Sequence, residues 1–317
     1  MASAGIQSVQ AMAVNSTMNA GSVFGMPEPL DDAKNIDEYH TVLLAIYVVV
    51  LLSGTINLGL MMHIMKSSTT SITSIAVLNL IFTHFIFLLT VPFRIYYYAT
   101  DSWSLGLSWC KVFSSMIHIH MYMSFIFYTI ILVTRLMAFH CQSERVASYR
   151  KMHALLVSAA VWVVVIVVGP CIIFFSYGKK RLDGINGTAA VSDCFRFGEN
   201  IEPAGKVFNY IISAAIITVT AVLAALQGNV LWVLYRKYHQ GCTSQQDFGA
   251  QLKGMCFASI MVVCFIPYHL FRVYYMEHID LQNVNEVFLS LTTFNCLDML
   301  TFLGRRTCYV CVQGRAL

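Results

Sequence analysis

Charge is scarce in this chain. Lys, Arg, Asp and Glu make up 11% of its 317 residues, against about 25% in a soluble globular protein. With 57% of residues hydrophobic, that deficit implies a surface that mostly faces lipid. The formal charge of +4 is small and no basic run accompanies it, which argues against nucleic acid as a partner. Ten cysteines are scattered without CxxC pairs beyond Cys308/Cys311, so spacing indicates neither a zinc site nor a disulfide scaffold. No Gly-rich phosphate loop or HExxH motif occurs. No nucleophile–base or metal constellation is visible either, so the expectation is a non-enzyme with no cofactor and no metal. Residues 1–38 lack a charged n-region followed by an apolar stretch, which argues against a cleaved signal peptide.

What is present is apolar length. Seven segments, roughly 39–65, 72–98, 109–140, 152–175, 207–235, 248–275 and 284–303, each approach the length of a membrane span. The central one, from Cys110 to Arg135, has a cation near each end, with His118 and His120 between. As a helix it advances about 37 Å, more than the roughly 30 Å hydrocarbon layer. The expected fold is an all-α seven-helix membrane bundle over 39–304, with an N-terminal tail over 1–38 and a short C-terminal tail over 305–317.

Basic residues orient it. Lys66, Arg145, Arg150, Lys151, Arg236 and Lys237 fall on one side, joined by Arg305, Arg306 and Arg315. The acidic tail and the connections holding Asp101, Glu277 and Asp280 fall on the other. Lys179, Lys180 and Arg181 lie in the long connection 176–206, where charge counts less. The expectation is an extracellular N-terminus and a cytosolic C-terminus. Asn15 and Asn186 are then glycosylation acceptors. Cys308 and Cys311 are palmitoylation candidates, or plain packing cysteines. Cys110 and Cys194 both meet an oxidising compartment, where a disulfide would pin the long loop over the bundle; the alternative is two free thiols.

Asn57, Asn79-Leu80, Trp103-Ser-Leu-Gly, Cys110, Arg135, Trp162, Cys264-Phe-Ile-Pro-Tyr-His and Asp298 together resemble the rhodopsin-like (class A) G-protein-coupled receptors. Val91-Pro-Phe-Arg-Ile-Tyr-Tyr-Tyr and Cys264-Phe-Ile-Pro-Tyr-His-Leu-Phe-Arg resemble the purinergic-like branch. The resemblance implies a multi-pass plasma-membrane receptor of unassigned ligand. It would pass an extracellular signal to a heterotrimeric G protein by movement of the sixth helix, in contact with membrane lipid. It also implies switch roles for Phe265, Pro267, His84 and Asp298, and a restraint between Arg135 and Asp247. A structural proline at 267 and a solvated charge at Asp247 are the plainer readings. Departures accompany it: His84 replaces the family's aspartate, Thr134 the acid before Arg135, and Leu136 an aromatic. The fifth span has no proline, and the seventh reads Asp298-Met-Leu-Thr-Phe302 without proline or tyrosine. Those changes keep a non-signalling scavenger or chaperoning receptor open; a transporter is disfavoured because no inverted repeat is evident.

Ionisable groups inside a membrane default to function, so Arg94, His118, His269 and Arg272, with Tyr98 and Tyr122, are the candidate ligand contacts. The competing readings are snorkelling, pairing of Arg94 or Arg272 with Glu277 or Glu286, and a core histidine at 118. No aspartate stands in the outer half of the third span to meet an amine. The expected ligand therefore carries negative charge or a strong acceptor.

Overall fold

Apolar segments in lipid must satisfy their backbone internally, and helices do so along their own length. A computed structural model describes residues 29–65, 72–140, 156, 158–165, 167, 194–195, 203–239 and 245–299; among these the regular structure is entirely helical. Helix α1 is Pro29–Met65, α2 Ile72–Thr100 and α3 Leu107–His140, and α4 is described over residues 158–165. Helix α5 is Pro203–His239, α6 Gln245–Tyr275 and α7 Gln282–Leu291, which follows a 3-10 turn at Ile279–Leu281. Five of these are long and apolar enough to cross a membrane.

Two elements differ from the expected spans. Helix α1 starts at Pro29, well before the apolar stretch at Tyr39. Proline is tolerated at a first helical position because no intrahelical bond is lost there; Pro203 opens α5 in the same way. The seventh span, expected as one helix, is instead α7 followed by a 3-10 segment over Thr292–Met299. The hydroxyls of Thr292 and Thr293 donate to the carbonyls of Leu289 and Ser290, three residues back, at 2.6 and 2.5 Å. Such local bonds compete with the α-helical ladder, and eight residues is long for a 3-10 run.

The helices close a ring. α1 packs on α2 and α7, α2 on α3, and α5 most extensively on α6, which meets α7. α3 runs through the middle, touching α2, α5, α6 and the 3-10 segment. Its Ile117, Met121, Ser124, Phe127, Tyr128 and Ile131 are fully buried. Leu52, Ile56, Leu89, Val263 and Leu270 point outward and are exposed, as lipid-facing residues are. Asn79 of α2 ties α4 to the ring, accepting from Trp162 Nε1 at 2.8 Å and donating to Ser158 Oγ at 3.1 Å. Gly254 of α6 makes room for Gln227 of α5: a Cβ there would meet Gln227 Nε2 at 2.6 Å. That amide donates to the Gln251 side chain and carbonyl at 2.8 and 3.0 Å. A disulfide joins Cys110, in the first turn of α3, to Cys194, with Cα atoms 5.7 Å apart.

Candidate functional site

Polar groups collect at three levels along the bundle. At the disulfide end, the bridge sets Phe195 beside Cys194 with a φ of 72°, a left-handed conformation that is costly for a side chain of that size. Its ring packs edge-on against Tyr97 and Trp103 and in parallel with Tyr98, at centroid distances of 5.0, 5.8 and 6.0 Å. Tyr98 in turn stacks on Tyr47 of α1 at 5.8 Å. Tyr98 is thus part of an aromatic wall.

Arg94 lies behind that wall and is fully buried. Its guanidinium donates to Tyr47 Oη at 3.2 Å and to the carbonyls of Phe113 and Ser114 at 3.1 Å each. Phe195 covers it at 4.5 Å from the ring centroid. The chain does not snorkel to the rim, and no ion pair to Arg94 occurs within 4.0 Å among the described residues. Glu277, one expected partner, accepts instead from the Tyr210 hydroxyl. Glu286 of α7 is within electrostatic reach of both guanidinium groups.

Arg272, in the last turn of α6, donates to Asn209 Oδ1 of α5 at 3.3 Å and to Asn285 Oδ1 of α7 at 3.4 Å. His269, one turn earlier, meets Ser213 Oγ at 3.2 Å and faces the Tyr122 ring at 6.5 Å. His118 is within electrostatic reach of Arg94, Arg272 and His269. The expected ligand contacts therefore converge from α2, α3 and α6. Among the described residues this cluster gathers two guanidinium groups and the Glu286 carboxylate.

Midway, Asp298 is fully buried and accepts from the Tyr128 hydroxyl at 2.6 Å. His84 Nε2 lies 3.4 Å from the same carboxylate oxygen, so these two switch candidates are in contact. Three groups that sequence reasoning did not assign complete this layer: His120, Tyr128 and Cys296. Their separations in the chain hide them, although His120 and Tyr128 share a face of α3 two turns apart. His84 Nδ1, His120 Nε2 and Cys296 Sγ lie within 4.8 Å of one another and are the one group among the described residues that could hold a metal. Phe265 packs edge-on against Phe125 and Tyr128 at 5.9 and 6.2 Å, two residues before Pro267, through which α6 continues.

At the far end, Arg135 donates to the Ala250 carbonyl of α6 and stands 5.8 Å from the Phe257 ring centroid. The Thr134 hydroxyl turns back on its own helix, to the carbonyls of Ile130 and Ile131 at 2.8 and 2.9 Å. Asp247 lies in the first turn of α6, but its side chain falls outside the described residues, as do Asn15, Asn186, Cys308 and Cys311.

Residues 56–301 match the family described as the 7 transmembrane receptor (rhodopsin family). The chain is 36% identical to the human probable G-protein coupled receptor 141 over 271 residues, 82% of this chain and 87% of that one. It is 23% identical to the mouse probable G-protein coupled receptor 34, over 83% of this chain and 73% of that one. It is also 27% identical to the mouse lysophosphatidic acid receptor 6, over 78% and 71% respectively.

Proposed function

Because the chain belongs to the rhodopsin family of seven-transmembrane receptors, we propose that it answers an extracellular acid, bound between Arg94, His269 and Arg272. Membership makes it a multi-pass plasma-membrane receptor that signals through G proteins, in a family of receptors and not of enzymes or transporters. In this reading the disulfide end faces outward, following the Lys and Arg bias of the connections. The single observation that carries the ligand class is the gathering of basic groups: Arg94 and Arg272 are both within electrostatic reach of His118, and His269 is beside Arg272, with buried Arg94 held by two carbonyls and the Tyr47 hydroxyl. A buried guanidinium is expensive unless its site is built to keep it, and here carbonyls, asparagines and aromatic faces contribute to doing so. A relative named for lysophosphatidic acid supports an acid-bearing lipid as the first class to try.

Receptor activation follows from the same geometry. An anion drawing Arg272 toward Arg94 pulls the outer end of α6 against α2 and α3. Phe265 and Pro267, below it, pass the shift to the end where Arg135 meets Ala250. The test is G-protein activation in membranes displaying wild type or Arg272→Ala at equal density, challenged with lysophospholipids, lipid carboxylates and cationic amines. Acid-bearing lipids activate wild type, and Arg272→Ala weakens them; an amine that activates both equally overturns the reading.

A further inference from the structure

The middle layer holds a constellation with the chemistry of a borderline-soft metal site. His84 comes from α2, His120 from α3 and Cys296 from the 3-10 segment after α7, and all three are buried. The His84 Nδ1 to His120 Nε2 distance is 2.8 Å, and Cys296 Sγ lies 3.6 and 3.7 Å from those two atoms. Tetrahedral zinc, with Zn–N near 2.05 Å and Zn–S near 2.3 Å, requires N···S separations of about 3.6 Å and an N···N separation of about 3.3 Å. The two sulfur distances already match. Parting the imidazoles by about half an ångström completes the triangle.

The surroundings are those of a supported ligand set. Asp298 Oδ2 sits 3.4 Å from His84 Nε2, the carboxylate–histidine relation that turns the opposite ring nitrogen's lone pair toward a metal. Tyr128 holds that carboxylate at 2.6 Å. The His120 ring is stacked on Phe87 at 4.2 Å, and Asn57 Nδ2 donates to the Cys296 carbonyl at 3.2 Å. The three protein ligands leave a fourth tetrahedral position for a water or another oxygen donor. Charge balances too: a Cys296 thiolate and the Asp298 carboxylate together neutralise a dication, which a buried site requires.

We propose that His84, His120 and Cys296 bind a zinc ion, with Asp298 behind His84, and that the ion ties α2, α3 and the 3-10 segment together at mid-bundle. Binding releases the Cys296 thiol proton as the sulfur takes up the metal. Imidazole and thiolate select zinc over sodium, calcium or magnesium, which take oxygen ligands.

The test uses purified full-length receptor in nanodiscs, stripped of metal and titrated with cobalt(II), then zinc. Cys308→Ser/Cys311→Ser serves as background, so the terminal CxxC pair contributes nothing. The expected result is one cobalt per chain with a sulfur-to-cobalt charge-transfer band that zinc abolishes. Cys296→Ser removes the band and Cys264→Ser keeps it. His120→Asn weakens binding by more than about 100-fold, and Asp298→Asn by about 10- to 100-fold with the band retained. Helical circular dichroism checks each variant; if Cys296→Ser does not fold, His120→Asn and Asp298→Asn carry the comparison. Folded background protein that binds no stoichiometric metal, or a band that survives Cys296→Ser, overturns the proposal.

Discussion

The guanidinium of Arg94 lies 4.5 Å from the centroid of the Phe195 ring, so the residue after the bridged Cys194 roofs a buried cation on α2. Cation–aromatic contact contributes about 0.5–2 kcal/mol, and burial of the ring contributes more. Phe195→Ala is therefore expected to cost about 3–5 kcal/mol and lower the apparent melting temperature of the purified receptor. Phe195→Tyr, which keeps the ring, is expected to retain most of the stability. Differential scanning fluorimetry of the pair checks this; equal melting of Phe195→Ala and wild type would remove the roof from the account.

The charge balance of the disulfide end gives a second expectation. Glu286 is within electrostatic reach of both Arg94 and Arg272. Glu286→Gln removes the internal competitor, so an acid-bearing agonist should gain potency. Arg272→Ala removes half of the attraction and should cost about 10- to 100-fold, the range of a charge-assisted hydrogen bond of about 1.5–3 kcal/mol. Concentration–response curves for both variants, at matched surface density, read the opposite shifts. Shifts of the same sign would show that shape and not charge governs the site.

Sodium should matter little. At the mid-bundle position where the family carries an aspartate, His84 faces His120 and Asp298, and neutral imidazole is a poor ligand for a hard alkali ion. Asp298 is already engaged by Tyr128. Replacing sodium with a bulky organic cation at fixed ionic strength should leave agonist affinity within about twofold. A change near tenfold, about 1.4 kcal/mol, would contradict it.

The fourth expectation concerns the resting state. Arg135 is held by a neutral carbonyl on α6, and Thr134 gives it nothing, because that hydroxyl bonds within α3. A carbonyl contact is weaker than the charge-assisted pair an acid at 134 would make. A loss of about 1.4 kcal/mol from the off state raises the active fraction roughly tenfold while it is small. Ligand-free G-protein activation should therefore be measurable, Thr134→Asp should lower it, and Asp247→Ala should raise it. Nucleotide exchange in membranes without agonist decides; silence in wild type and Asp247→Ala alike would count against it.

Legibility followed the range of the forces. Apolar length announced the helices, because a span must be long and uniformly oily to exist at all. Cys110 and Cys194 were legible once topology placed them in one compartment. The contacts of Arg94 were not, since snorkelling, a carboxylate partner and burial among carbonyls are equally compatible with an arginine near a helix end. The grouping of His84 with His120 and Cys296 was invisible for a simpler reason. The three are 36, 176 and 212 residues apart in pairwise separation, and no spacing rule spans three helices. The 3-10 segment was missed because its cause is local: two threonine hydroxyls that cap carbonyls three residues back.

That segment gives the seventh span a reserve of length. A 3-10 helix rises about 2.0 Å per residue with three residues per turn, an α-helix about 1.5 Å with 3.6. Rewinding Thr292–Met299 into α form shortens it by about 4 Å and turns each successive side chain back by about 20°. By Asp298 the rotation exceeds 100°, enough to swing the carboxylate off Tyr128 and His84 and carry Cys296 off the imidazole pair. One change of pitch in a single turn-rich stretch thus works like a screw thread. Such a rewinding would convert rotation at the bundle's centre into displacement along the seventh span.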